Sequence, residues 1–237
     1  MKPLSNSDFL DLWERGNGMH ALDQGLLVLG AALPETSYDR LADWSLGRRN
    51  RALIELRSQC FGPHLQGWTC CTRCEEKLEI EVNARSLASE PGGAEESPCD
   101  PIIVNGHCFR LPTSRDLARA AQETDPLSAT LLLIEGCRVD TGEIPAWTGE
   151  ELEIVGERMA LADPMAELPL TLRCPACNNE WIATLDIATF FWTEIEARAK
   201  RILFEIHALA SQYGWTEKEI LSLSEQRRAL YMGMVHE

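Results

Sequence analysis

Two hydrophobic periods divide this chain. Near both ends apolar residues recur every three to four positions, the spacing of an amphipathic helix, whereas several short internal stretches alternate every second position, the spacing of a strand with one buried face. Residues 7–60 read as helical. Phe9, Leu10, Leu12 and Trp13 mark a first helix that ends at Gly16-Asn17-Gly18. A second spans Ala21 to Leu33 and stops before Pro34. Ser37 or Asp39 opens a short third. Ser45 caps a fourth with core positions Leu46, Leu53, Ile54 and Leu56, closed by Phe61-Gly62-Pro63.

The alternating stretches come next. Leu78, Ile80 and Val82 form one, Leu168, Leu170 and Leu172 another, and Trp181, Ala183 and Leu185 a third. A strand is also expected around Ile102 to Leu111, turning at Asn105-Gly106. Residues 88–101 hold three Pro and two Gly with little to bury, and read as a loop or tether. Helical signals then return. Thr113 and Asp116 make a capping box for a helix to Gln122, and Asp125-Pro126 opens one carrying Leu127, Leu131, Leu132 and Ile134. Residues 139–148 are a polar loop with Trp147, and Thr148 with Glu151 caps a helix to Ala162.

The C-terminal region holds the longest uninterrupted period. Residues 187–212 contain no Gly or Pro. At 100° per residue Ile187, Phe191, Ile195, Ala199, Ile202, Leu203, Ile206, Leu209 and Tyr213 fill one arc, with Glu194, Arg198, Arg201 and Glu205 opposite. Gly214 suits a left-handed helix end. Thr216 and Glu219 cap a short helix through Leu221, and Ser222 or Ser224 starts a last one with Leu230 and Tyr231 apolar. Phe190 and Phe204 interrupt the polar side, with Ala197 and Ala208. They either pack against the N-terminal helices or form a docking face for another protein.

Chemistry enters through the cysteines. Cys71-Thr72-Arg73-Cys74 and Cys174-Pro175-Ala176-Cys177 each precede an alternating segment whose first apolar residue falls four positions after the second Cys. Four thiolates in two such pairs make a closed tetrahedral Zn²⁺ site, which builds a fold and has no open position for a substrate. The expectation is one structural Zn²⁺ on Cys71, Cys74, Cys174 and Cys177, with the two knuckle-plus-strand units pairing as a zinc ribbon. A thioredoxin-like redox site would need one pair at a strand–helix junction, and iron–sulfur spacings are tighter. Nine Cys is an odd number, and Met1-Lys2-Pro3-Leu4-Ser5 runs into a polar helix start without a signal peptide, so a disulfide framework is not expected. Cys70 and His64 are alternative ligands near the first knuckle. Cys60, Cys99, Cys108 and Cys137 read as small buried or loop hydrophobes.

Composition narrows the function classes. A formal charge of −15 and a pI near 4.8 argue against a nucleic-acid or anionic-membrane binder. Arg48, Arg49, Arg51 and Arg57 form the only basic cluster. No G-x-S-x-G elbow, Walker A loop or H-E-x-x-H motif occurs, and the five His are dispersed. The reading is a non-enzymatic, intracellular protein that works in the cytoplasm, with no nucleic acid, membrane or small-molecule substrate. Its fold class is α+β, with zinc-ribbon-like β knuckles brought together from two distant segments, surrounded by helices, and a long C-terminal helix. The expected divisions are a helical region 1–62, a first knuckle and strand 63–87, a loop plus mostly helical insertion 88–167, a second knuckle and strand 168–186, and a helical region 187–237. Two further classes stay open: a zinc-ribbon nucleic-acid-binding or regulatory protein, and a metalloenzyme with an open metal position.

Several words in the chain carry a resemblance. They are Asp11-Leu12-Trp13-Glu14-Arg15-Gly16, Leu46-Gly47-Arg48-Arg49 through Arg57 to Phe61-Gly62, Phe109-Arg110-Leu111-Pro112-Thr113 through Asp116-Leu117, and Asp163-Pro164. With both knuckles they continue into Phe191-Trp192-Thr193-Glu194, His207 to Ala210, Tyr213-Gly214-Trp215, Glu219-Ile220-Leu221 and Arg227-Arg228 to Tyr231. Together they resemble the baseplate or baseplate-hub assembly proteins of myovirus-type phages, as found with contractile injection systems. The resemblance implies a non-enzymatic part in building such a machine, as assembly chaperone or as component of the particle, with baseplate, hub or spike proteins as partners. Knuckles of this kind often read Cys-Pro-x-Cys-Gly; here Thr72 replaces Pro, and Glu75 and Asn178 replace Gly.

Overall fold

A computed structural model describes residues 1–88, 101–140 and 146–235. The tether expected at 88–101, with Cys99, falls almost wholly outside the described residues, as does much of the loop expected at 139–148. The chain forms two compact units. One comprises Met1–Pro34 with Ala188–Glu237, the other Glu35–Ile187.

The first unit is helical: α1 (Asn6–Gly16), α2 (Ala21–Ala32), α9 (Ile187–Tyr213), α10 (Glu217–Ser222) and α11 (Glu225–Val235). The expected 3.6-residue pattern is met. Leu12, Leu29, Phe191, Ile195, Ala199, Ile202 and Leu209 are all buried. Gly16 accepts the indole of Trp192 so closely that a Cβ there would lie 2.2 Å from the ring. At the end of α9, Gly214 takes φ +69 as the helix-end signal requires. Tyr213 then stacks on Trp215, and Tyr231 meets both rings edge-on, with all three centroids within 5.7 Å of one another.

Two positions on α9 depart from the helical-wheel expectation. Glu205, placed on the polar side, is buried, and Leu203, placed in the apolar arc, is exposed. Glu205 is buried by α11, which brings Arg228 to within 3.0 Å of its carboxylate; Arg201 reaches the same carboxylate at 3.1 Å. Arg228 is 1% exposed, and its Nε and Nη1 donate to Glu205 and to the Leu223 carbonyl. An ion pair from a later helix has no signature in the period of this one.

The second unit contains α3 (Tyr38–Ala42), α4 (Leu46–Phe61), β1 (His64–Cys70), β2 (Lys77–Asn83), α5 (Ala84–Ala88), β3 (Ile102–Val104), β4 (His107–Phe109), α6 (Ser114–Ala120), α7 (Pro126–Cys137), α8 (Gly149–Ala162), β5 (Pro169–Arg173) and β6 (Glu180–Thr184). The predicted caps are in place at Ser37, Ser45, Thr113, Asp125 and Thr148. Asn105 (φ +51) and Gly106 (φ +82) make the two-residue turn of the β3–β4 hairpin, where both central residues need the left-handed region. That hairpin packs with α7 and α8 around Phe109, Ile134, Cys137, Leu152, Val155 and Met159.

Buried polar contacts lock α4 into this unit. Asp163 accepts from the Gly47 N–H at 2.8 Å, and a Cβ on Gly47 would lie 1.7 Å from its Oδ1. Asn50 donates to the Met165 and Ala166 carbonyls, and Arg49 donates to Asn50 and Ser114. Asp116 accepts two bonds from Arg110, at 2.7 and 2.9 Å, and caps its own helix through Thr113. Among the described residues no helix is long and apolar enough to cross a membrane.

Candidate metal centre

Each Cys-x-x-Cys pair sits at the closed end of a hairpin. β1 pairs antiparallel with β2, from His64↔Asn83 to Cys70↔Lys77, and β5 pairs with β6, from Pro169↔Thr184 to Arg173↔Glu180. The two knuckles share one backbone pattern. The N–H of Cys71 donates to the Glu76 carbonyl and that of Glu75 to the Cys71 carbonyl; Cys174–Asn179 and Asn178–Cys174 repeat this. The residue after the second Cys is left-handed in both, Glu75 at φ +62 and Asn178 at φ +58. This is the conformation that glycine supplies in knuckles of the Cys-Gly type, so both sequences carry a side chain where the backbone favours none.

The four expected sulfurs come together. Cys71, Cys74, Cys174 and Cys177 place their Sγ atoms within 4.8 Å of one another. Cys71 lies 3.6 Å from Cys177, and Cys74 lies 3.6 Å from Cys174, so each knuckle meets the other through a close sulfur pair. Asn179 Nδ2 donates to Thr72 Oγ1 across the same junction. These four side chains can hold a metal ion.

The electrostatics around the sulfurs differ. Cys71 is buried, which opposes ionisation, but the N–H groups of Arg73 and Cys74 point at its sulfur and draw its pKa down to about 6. Cys74 is held up at about 12: the backbone at Glu76 favours its thiolate, and this is outweighed by the sulfurs of Cys177, Cys174 and Cys71 together with burial. A cation bound by the four sulfurs would favour their thiolate forms and displace the protons.

The alternative ligands stay out of the cluster. Cys70 is exposed, one residue before the turn. His64 lies at the opposite end of β1, roughly 20 Å along the strand, with its Nδ1 2.7 Å from Glu81. Cys137 is fully buried beneath Phe109, and burial pushes its thiol up to about 12. Phe190 and Phe204 both lie on α9, the former half-buried and the latter 56% exposed.

Two features of the knuckle region differ from the sequence reading. The units do not pair strand to strand as a ribbon. Among the described residues β1–β2 and β5–β6 are separate two-stranded sheets, because each knuckle turns its chain back on itself and uses the ladder bonds within one hairpin. Strand β1 was also not expected. Its inward positions are Leu65, Gly67 and Thr69 while Trp68 points to solvent, so the apolar alternation that marks a strand is missing. A search against known protein families, curated proteins and solved structures finds no match.

Proposed function

We propose that Cys71, Cys74, Cys174 and Cys177 hold one structural Zn²⁺, and that the protein is a non-enzymatic baseplate or hub assembly or structural protein of a contractile, phage-tail-like injection machine. The observation that carries the first half is the convergence of four sulfurs from segments about a hundred residues apart to within 4.8 Å. Thiolates bound to one tetrahedral Zn²⁺ at about 2.3 Å lie roughly 3.8 Å from each other, close to the spacings found here. With all four positions filled by protein, such an ion staples two hairpins and offers no site to a substrate.

The second half rests on the resemblance, and the fold supplies a physical reason why those words hang together. Gly47 with Asp163, Arg49 with Ser114, and Arg228 with Glu205 are internal contacts that bind distant segments. These contacts support reading the resembling words as parts of a scaffold. Partners are then the baseplate, hub or spike proteins, met in the cytoplasm during assembly or within the particle. The exposed Phe204 on α9, with Phe190 near it in sequence, is the candidate docking face.

Metal analysis of the purified protein tests the first half: one Zn²⁺ per chain is expected, and a different metal or none overturns it. Affinity capture from the native host, with free and sedimented particle fractions examined separately, tests the second. Recovery with tail, hub or spike proteins is expected; recovery with none of them overturns the assembly reading. Changing Phe190 and Phe204 to polar residues is expected to leave a folded protein that loses its partner. Unfolding of that variant overturns the docking face.

A further inference from the structure

The β1–β2 hairpin has an open side. Cys71–Glu76 at one end and Pro63–Ala84 at the other are hydrogen-bonded pairs, and such pairs recur at every second residue of an antiparallel ladder. Leu65–Val82, Gly67–Ile80 and Thr69–Leu78 therefore bond inwards. The backbone N–H and C=O groups of Lys77, Glu79 and Glu81 point the other way, and among the described residues β2 has no second strand beside it; at the end of the strand the Asn83 carbonyl already accepts from the Ser86 hydroxyl at 2.7 Å. On one face of β2 stand Leu78, Ile80 and Val82, only half-buried; on the other stand Glu79 and Glu81, two residues apart and exposed.

We infer that the open edge of β2 takes an extended segment of a partner protein, added as a third antiparallel strand, with basic residues at alternate positions and apolar residues between them. Backbone groups left unpaired along an edge accept such a strand, and the flanking side chains choose it. Basic residues two apart fall beside Glu79 and Glu81, and the apolar ones extend the row of Leu78, Ile80 and Val82. Trp68 lies directly across from Glu79, 71% exposed, with the Lys77 ammonium 5.6 Å from its ring centroid, so this face already holds one cation against an aromatic surface. His64 reaches Glu81 at 2.7 Å from the same face.

The other occupants fit less well. Full antiparallel self-pairing of two β2 strands sets Glu79 of each copy against Glu81 of the other, a like-charge contact made twice. β5 begins with Pro169, which has no N–H to give, and Glu180 on β6 already faces Arg173 at 3.7 Å. β1 carries no pair of like charges on its exposed positions to select a partner.

The inference rests on the interaction reading above for the existence of a partner, but its test contains no tail component. The probe is a peptide of about nine residues alternating lysine and valine, long enough to cover β2, titrated into the full-length protein by calorimetry. Binding is expected, at least about tenfold weaker in the Glu79→Gln/Glu81→Gln variant, and lost when alternate backbone amides of the peptide are N-methylated. The Glu79→Lys/Glu81→Lys variant should instead prefer the peptide with glutamate in place of lysine. Both variants change exposed side chains, and their circular dichroism should match the parent. No binding, equal binding by the glutamine variant, or indifference to N-methylation overturns the inference and leaves the two carboxylates as guards of an idle edge. A concentration-dependent dimer that these substitutions strengthen overturns it in favour of a second copy. Neither result alters the host-capture experiment, and failure of that experiment leaves peptide binding as it stands.

Discussion

The β3–β4 hairpin and the two knuckle hairpins reach the same local shape by opposite means. β3 and β4 are three residues each, yet they bury Ile102, Val104 and Phe109 against α7 and α8. β1–β2 and β5–β6 have strands of seven and five residues, and Leu65 is the only buried side chain in all four. A two-stranded hairpin alone in water is marginal at best. Strand length therefore does not decide which of these hairpins is secure. One rests on a hydrophobic core; the others lack such a core and converge at their cysteine ends.

The largest expected effect removes that junction. Cys71→Ser or Cys174→Ser should release both knuckle hairpins and unfold much of the protein around them, since a structural zinc contributes on the order of 10 kcal/mol or more to folding. Hydrogen exchange read by mass spectrometry should show residues 64–83 and 169–184 losing protection first, with the peptides around Phe109 following. Simultaneous loss everywhere would make the unit one cooperative body and dissolve the contrast. An unchanged, helical Cys71→Ser/Cys174→Ser protein would show that no metal holds the hairpins.

The converse substitution attacks the other hairpin. Phe109 is 0% exposed at the centre of its cluster, and Phe109→Ala should cost about 3–5 kcal/mol by urea unfolding. Under native conditions the variant should still bind cobalt(II) with the absorption of a four-thiolate site, because no cysteine of the metal cluster touches that core cluster. Loss of the cobalt spectrum together with stability would mean that the knuckles depend on this core after all.

This contrast also explains what could be read in the sequence. The cysteine cluster was legible because Cys-x-x-Cys spacing is a covalent constraint that needs no tertiary information, and the Asn105-Gly106 turn because left-handed backbone restricts residue choice so strongly. The capping boxes at Thr113, Thr148 and Thr216 were legible for the same local reason. What failed was long-range. β1 shows no alternation because Gly67 and Thr69 fill its inner face, and the burial of Glu205 depends on Arg228 more than twenty residues later. The strand-to-strand pairing failed because the spacing points to a shared cysteine cluster and says nothing of whether the strands of the two knuckles share a ladder.

Acid separates the two regions more gently. Burial alone would raise the pKa of Asp116, but the two bonds from Arg110 and those from Thr113 outweigh it and hold it below the ordinary carboxylate value. Asp140 is drawn to about 2, mainly by the Cys108 N–H and despite partial burial, with His107 and Arg138 adding to it. A depressed folded pKa contributes stability that is complete above the unfolded value of about 3.9 and is lost as pH falls through the folded one. Melting temperature should therefore fall between about pH 4 and pH 2 for the β3–β4 side, and Asp116→Asn should flatten that slope while lowering stability at neutral pH. An unchanged slope in the variant would assign the acid sensitivity elsewhere, with thiolate protonation at the cysteine cluster the first alternative, visible directly as loss of the cobalt spectrum.

The smallest effect compares the knuckles with each other. Glu75 and Asn178 occupy equivalent left-handed positions, but Asn tolerates that region where Glu does not. Glu75→Gly should relieve strain in the folded state and add flexibility to the unfolded one, terms of opposite sign and similar size. The left-handed penalty for a side chain without a local hydrogen bond is about 1–2 kcal/mol, against about 0.5–1 kcal/mol for the extra freedom of glycine, so a net gain of up to about 1.5 kcal/mol is expected. Asn178→Gly should gain less or lose slightly, because Asn relieves part of the strain already and Asn178 Oδ1 accepts from Arg173 at 3.2 Å. Melting temperatures of the two variants, measured with metal bound, decide it. A larger gain at Asn178 than at Glu75 would mean that the backbone angle is not what limits the first knuckle, and that its cost lies in the exposed hairpin behind it.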